Sequence, residues 1–318
     1  PQPLFNTVLF RYSGRRREPP AGVEREAQSL KVALHFANLV CPEPGAATRL
    51  ARAAETAGFE SLLTVEHVVW PTHYESVYPY SPTGRLPGGP DTALPDPLIW
   101  MAHVAAHTTT LRLLTGVLVL PQRNPLIVAK QVATLDAMSG GRIELGIGVG
   151  WLREEFDALG VPFDGRGART DEHVAAIRAL WAGDDATFEG RHVRFHGMSC
   201  NPKPQQSPLP IIVGGHSVPA ARRAGRLGDG FFPATGTAAA LRPLFDEVRR
   251  SADAAGRDPD AITFMTGCPE ALGDAPLAAI EQLAAAGVSR IVVPAQPFAA
   301  DPDELLGRFG ERVIGQLR

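Results

Sequence analysis

One alternation constrains this chain more than any other feature. Short β-branched runs give way, eight times over, to Ala-rich segments with helical apolar spacing. The runs are 32–36, 61–65, 111–118, 142–149, 210–214, 230–233, 261–266 and 290–294. The helical patterns that follow them are 45–57, 97–107, 124–138, 170–181, 218–227, 238–255, 275–286 and 303–317. Gly58, Gly228, Gly256 and Gly287 stand where C-terminal caps belong. Strands joined by helical crossovers pair in parallel and need both faces covered. Eight such units in 318 residues predict an α/β fold, a closed (β/α)8 TIM barrel in a single domain. An open doubly wound sheet is the alternative, but it would carry its glycine-rich turn after the first strand, and here that turn lies mid-chain.

Charge narrows the partners. The formal net charge is -3, and basic residues are dispersed except for Arg15, Arg16 and Arg17, so nucleic acid is not expected. No apolar run approaches the ~20 residues of a membrane span, and no apolar signal core is evident. Residues 1–29, with the arginine triplet, Pro19 and Pro20, read as a loosely ordered extension ahead of a barrel over 30–318. Cys41, Cys200 and Cys268 are far apart and form no C-x-x-C, which argues against a disulfide framework or zinc site and for a reducing cytoplasm.

Two connections, 66–96 and 181–209, are too long for plain barrel loops, and insertions of that length usually cover a site. The first holds Tyr74, Tyr78 and Tyr80, three of the four tyrosines, which suits an aromatic lid over a substrate; a proline-stiffened loop packed on itself is the alternative. The second reads as a small hairpin over 187–195, around Glu189 and Gly190.

In the segment GGRIELGIGVGWLREEF, glycines 146, 148 and 150 alternate with Leu145, Ile147 and Val149, so one strand face lacks side chains. A flat ring or a phosphate has room there; tight packing against protein would explain the pattern equally well. A barrel's site lies where strands end. After the second strand come Glu66, His67 and Trp70. Extended geometry points Glu66 and His67 to opposite sides, and His67 reads as a general acid or base, or as a buried structural histidine. After the third come residues 121–125, with Asn124 as a cofactor contact, and after the fourth 148–154. After the fifth, Gly214, Gly215, His216 and Ser217 open a helix with Pro219 in its first turn. Free amides and the dipole there suit an anion, although Ser217 is also a plain N-cap. His103 and His107 have i, i+4 spacing but no third ligand, so packing is preferred and no metal is expected.

The blocks TGVLVLPQRNPLIVAKQVATLDAMSGGRIELGIGVGWLREEFDALG, residues 115–160, and PIIVGGHSVPAARRAGRLGDGFFP, residues 210–233, resemble the bacterial luciferase-like superfamily of flavin and deazaflavin enzymes. GWLREEFDALGVPF and YPYSPTGRLPGGPDT are most similar to the actinobacterial branch that uses coenzyme F420. The resemblance implies a tricyclic ring over the strand ends. Gly116 and Val117 would form a bulge behind it, often built on a non-proline cis peptide. Gly148, Val149, Gly150, Trp151 and Glu154 would contact the cofactor, Gly214 to Ser217 would cradle its phosphate, and Glu66 with His67 would match an acid–histidine pair near the ring. It also implies barrels paired as homodimers. Trp151 stands where the sugar-phosphate dehydrogenases of the family carry a catalytic glutamate, and their phosphate-binding lysines have no counterparts, so a sugar phosphate is not expected. The implied activity is hydride transfer between F420 and a small organic substrate. The alternatives are an FMNH2-dependent monooxygenase and a non-catalytic flavin-binding protein.

Overall fold

The computed structural model describes residues 30–317; the expectation for residues 1–29 lies outside them. The barrel strands are β1 (Lys31–His35), β2 (Ser61–Thr64), β3 (Arg112–Thr115), β4 (Leu118–Val119), β5 (Ile143–Gly148), β8 (Ile211–Gly214), β9 (Gly230–Phe232), β10 (Thr263–Gly267) and β11 (Arg290–Pro294), with the hairpin β6 (Ala186–Glu189) and β7 (Arg194–Met198) outside them. All barrel pairings are parallel, and β3 and β4 both pair with β5, so the sheet closes. β3 and β4 form one barrel strand interrupted at Gly116–Val117, giving the eight-stranded closed barrel that the alternation predicts. The hairpin turns near Glu189 and Gly190, as read from the sequence.

Eight helices follow the strands: α2 (Pro44–Thr56), α3 (Pro97–Ala105), α4 (Pro125–Ser139), α6 (Arg166–Ala182), α7 (Val218–Leu227), α8 (Ala238–Ala254), α9 (Pro276–Ala285) and α10 (Pro302–Arg312). Their starts are set by caps: Asp96 accepts from the Leu98 and Ile99 amides, and Asn124 from Leu126 and Ile127, each just before a proline. Two short helices escape the sequence reading, α1 (Ala37–Val40) and α5 (Arg153–Ala158), because neither is long enough to show a period. Gly58, Gly256 and Gly287 take positive φ past their helix ends, as Schellman-type stops do; Gly228 caps α7 in an extended conformation instead.

The lumen is filled, not hollow. Ala33, Leu63, Leu114, Ile212, Phe232, Met265 and Val292 meet there as a separate apolar cluster. Below it the buried Glu144 takes both Nη atoms of Arg290 (2.8 and 2.9 Å) and Nε of Arg112 (2.8 Å). Burial would raise Glu144, but Arg290 and then Arg112 overcome it and hold the carboxylate at about 2. With its base plugged by ions and its middle by hydrocarbon, the barrel leaves only the C-terminal mouth for a ligand. The larger apolar core lies between barrel and helices, where each buried Leu or Phe contributes about 1.5–3 kcal/mol.

Candidate functional site

Gly116 and Val117 form the floor of the mouth. Their peptide is cis, as the family resemblance implied. A β-carbon on Gly116 would meet Leu63 at 3.0 Å and His35 Nε2 at 3.3 Å, tight contacts that glycine avoids. The Gly116 carbonyl accepts from His35 Nε2 at 2.9 Å. Burial drives His35 down to about 4, so it sits neutral beneath the bulge, stacked on Phe36.

The glycine-lined strand face has a different use from a landing surface for a ring. A β-carbon on Gly146 would collide with the Thr115 carbonyl, and one on Gly148 or on Gly214 would approach Val117 to 2.5 Å. At Gly150 it would meet Phe156 and Val119, each at 2.7 Å. The protein's own bulge occupies this face, so Gly148 and Gly214 act through Val117, and tight packing is the correct reading of the alternation. Asn124 is likewise an exposed helix cap and not a pocket residue.

Glu66 and His67 diverge as strand geometry requires. Glu66, 6% exposed, accepts from the Val119 amide (2.5 Å) and from the Arg123 guanidinium, which also reaches Asp96 (2.7 Å). Burial pushes its carboxyl up against the pull of Arg123. Both oxygens are engaged, so Glu66 anchors the chain leaving the bulge and is not a second catalytic carboxylate. His67 faces the mouth, with ring centroids 5.6 Å from Trp70 and 5.9 Å from Trp151. Its Nδ1 lies 3.0 Å from Oε2 of the buried Glu155.

Tyr74, Tyr78 and Tyr80 close over this corner. Tyr74 and Tyr78 pack on Trp151 at 5.8 and 5.1 Å, and Tyr80 packs on Tyr78 at 5.6 Å. Tyr74 also binds its own loop, through the Leu86 amide and Arg85, so both sequence readings of this segment hold in part. Glu154 accepts from the Glu75 (2.6 Å) and Ser76 (3.1 Å) amides. Burial opposes its ionisation, but Ser76 and these amides hold it at about 2. It fastens the lid.

On the opposite rim, Gly215 adopts φ +129 and Ser217 caps α7 through Ala220 N (3.4 Å). The Gly215 amide is spent on Phe232 O. The His216 amide meets the Tyr80 hydroxyl, and among the described residues no group accepts from the Ser217 amide. The Ser217 amide, at the head of a ten-residue helix, is thus the donor left for a phosphate. Gln122, 8% exposed, turns its NH2 towards the Glu155 carboxylate and leaves Oε1 unpartnered, which suits a ring edge offering a donor. The residues fit a flavin-type cofactor.

His35 and Glu155 were missed from sequence, and Gln122 and Arg123, inside the 121–125 cluster, were given no role of their own. Glu155 was hidden beside Glu154, although adjacent acids at a helix start must face different directions. His103 and His107 lie 4.5 Å apart but bind Thr48, Pro44 O and each other's helix, and among the described residues no set of three metal-binding side chains assembles. No helix among them is long and apolar enough to cross a membrane.

Comparison with known proteins finds the luciferase-like monooxygenase family model matching residues 22–312. An uncharacterized protein of Mycobacterium tuberculosis is 34% identical over 278 residues, 84% of this chain and 94% of that protein. An F420-dependent glucose-6-phosphate dehydrogenase of Mycolicibacterium gilvum is 34% identical over 70% of this chain and 63% of its own. An FMNH2-dependent dimethylsulfone monooxygenase of Pseudomonas putida is 36% identical over 48% of this chain and 42% of its own. The fold matches that of the coenzyme F420-dependent tetrahydromethanopterin reductase of Methanopyrus kandleri, with a TM-score of 0.73, 19% identity and coverage of 91% of this chain and 100% of that one.

Proposed function

The chain belongs to the luciferase-like monooxygenase family, and from that premise we propose that it is an oxidoreductase moving a hydride between coenzyme F420 and a small organic substrate held beneath the tyrosine lid. The observation that carries this reading is the mouth itself. An imidazole, His67, stands between Trp70 and Trp151 on one rim, and a helix-head anion cradle stands on the other. F420, when bound, supplies the hydride chemistry. The chain's own residues would do the rest: Val117 would back the ring, the Ser217 amide would hold the phosphate, the aromatic lid excludes water, and His67 exchanges a proton with the substrate at Nε2. Support for the deazaflavin comes from the wider coverage of the F420-dependent relative.

FMNH2-dependent oxygenation is the second reading, favoured by the Pseudomonas relative. Titrating the protein separately with F420 and FMN, then reducing each complex under air, separates them. The first reading requires tight F420 binding without oxygen consumption; tight FMN binding with oxygen uptake replaces it by the second. Exposed Ile99 and Ile127, on the adjacent helices α3 and α4, support a homodimer through that face. Three buried unpaired cysteines support a cytoplasmic site of action.

A further inference from the structure

The first turn of α5 holds two adjacent glutamates that grip opposite ends of one segment. Glu154 takes the Glu75 and Ser76 amides, and Glu155 takes the segment's beginning: Val68 N at 2.6 Å and Val69 N at 3.3 Å on Oε1, His67 Nδ1 at 3.0 Å on Oε2. Glu155 is 1% exposed, and among the described residues no arginine or lysine pairs with it. A carboxylate so buried needs donors for both oxygens. The two amides fill one oxygen; the imidazole lies on the other, with the Gln122 side chain also within reach of the carboxylate.

We propose that Glu155 is the positioning residue of His67: it fixes the neutral ring as the Nδ1–H tautomer and leaves Nε2 as the nitrogen that exchanges a proton with substrate. This rests on the reading of the mouth as a redox pocket for its catalytic half only, since the tautomer follows from the hydrogen bonds alone. An ionised carboxylate is acceptor only, so a neutral imidazole facing it must carry its proton on Nδ1. Nε2 has no hydrogen-bond partner among the described residues, and Trp70 and Trp151 flank the ring. Burial would raise Glu155, but the His67 bond is the foremost influence opposing it and the carboxyl is held below its ordinary value, so the acceptor persists at neutral pH.

Glu155→Gln gives a prediction that mere packing does not. The Val68 and Val69 amides still need an acceptor, so the new side-chain oxygen must face them. Its NH2 then points at His67 Nδ1, which can accept only if the proton moves to Nε2. Nitrogen-15 NMR of histidine-labelled protein above neutral pH, without any cofactor, reads the tautomer directly, and the spectrum of His67→Gln identifies the signal among the nine histidines. The wild type should show Nδ1–H at His67, and Glu155→Gln should show Nε2–H. With cofactor and substrate, Glu155→Gln should lower kcat at least tenfold while the cofactor Kd stays within about twofold.

A wild-type ring protonated on Nε2 overturns the proposal even if the variant fails to fold, and so does a variant whose tautomer is unchanged. A flipped tautomer with unchanged kcat overturns the catalytic half. If the tautomer flips and neither F420 nor FMN binds, the positioning stands and the redox reading of the pocket is what fails.

Discussion

Val117 occupies the space that a side chain on Gly214 would need: a β-carbon built on Gly214 comes within 2.5 Å of Val117 Cγ1. Gly148 stands in the same relation to the other methyl, again at 2.5 Å, so one valine wedges between two strands that both lack side chains beneath it. Gly148→Ala or Gly214→Ala must therefore displace Val117 or widen the sheet. Overpacking of this kind costs about 1–3 kcal/mol. Both variants should unfold at lower urea concentration and bind cofactor more weakly. Gly45→Ala has nothing within 4 Å and sits in the first turn of α2, so it should leave both properties unchanged or add a few tenths of a kcal/mol. Lower stability with unchanged cofactor binding would show that Val117 does not support the ring.

Glu66 and His67 are adjacent in sequence and opposite in role. Glu66→Gln leaves Arg123 with Asp96 alone and removes the charge that receives the Val119 amide. Breaking a buried pair typically costs about 3–5 kcal/mol. Chemical denaturation should show that loss, and turnover per folded molecule should fall only as far as the bulge shifts. His67→Ala should show the reverse pattern. Its stability should fall by less, about 1–3 kcal/mol as Glu155 loses one donor, while turnover falls by ~10²–10⁴, the usual worth of a general acid or base. A Glu66→Gln enzyme of full stability and lost activity would put the carboxylate back in the chemistry.

This pair marks how far the sequence could be read. Period-two alternation placed Glu66 and His67 on opposite faces, and the eight β-α units gave the barrel, because both follow from spacing along the chain. The glycines on β5 were legible as an empty face, but what fills that face comes from β3 and β4, about thirty residues earlier. No local pattern reports that a neighbouring strand will bulge inward. Glu155 was illegible for a related reason: its partner His67 is 88 residues away, and α5 is too short to announce which side each of its acids faces.

The lid should loosen when Glu154 is removed. Its carboxylate holds the Glu75 and Ser76 amides, and a charge-assisted bond to a backbone amide is worth about 1.5–3 kcal/mol. Glu154→Ala should raise hydrogen exchange at those two amides by about ten- to a hundredfold, and should raise substrate KM more than it lowers kcat. With the group held at about 2 instead of near 4.5, the clasp is complete above pH 4.5 and is lost only as pH falls towards 2. Exchange at Glu75 and Ser76, corrected for intrinsic rates, should therefore be flat between pH 5 and pH 7. Unchanged exchange in the variant would mean that the tyrosines pack the lid down unaided.

Two histidines make the fold acid-sensitive at a milder pH. Burial drives His35, under the bulge, and His173, against the Leu120 carbonyl, down to about 4 each, while an unfolded chain protonates them near 6.5. Between those values the unfolded state binds more protons than the folded one, so stability rises with pH through the window and falls as the solution is acidified from 6.5 to 4. At about 1.4 kcal/mol per unit, each ring removes up to about 3 kcal/mol by pH 4. The carboxylates Glu144 and Glu154, held at about 2, begin to contribute acid loss only below about 4.5, so the two effects separate along the pH axis. Urea denaturation should show a falling midpoint from pH 6.5 downward in the wild type and a shallower fall in His173→Gln, which keeps a donor for Leu120 O without a titrating ring. Equal slopes in the two proteins would assign the acid sensitivity elsewhere.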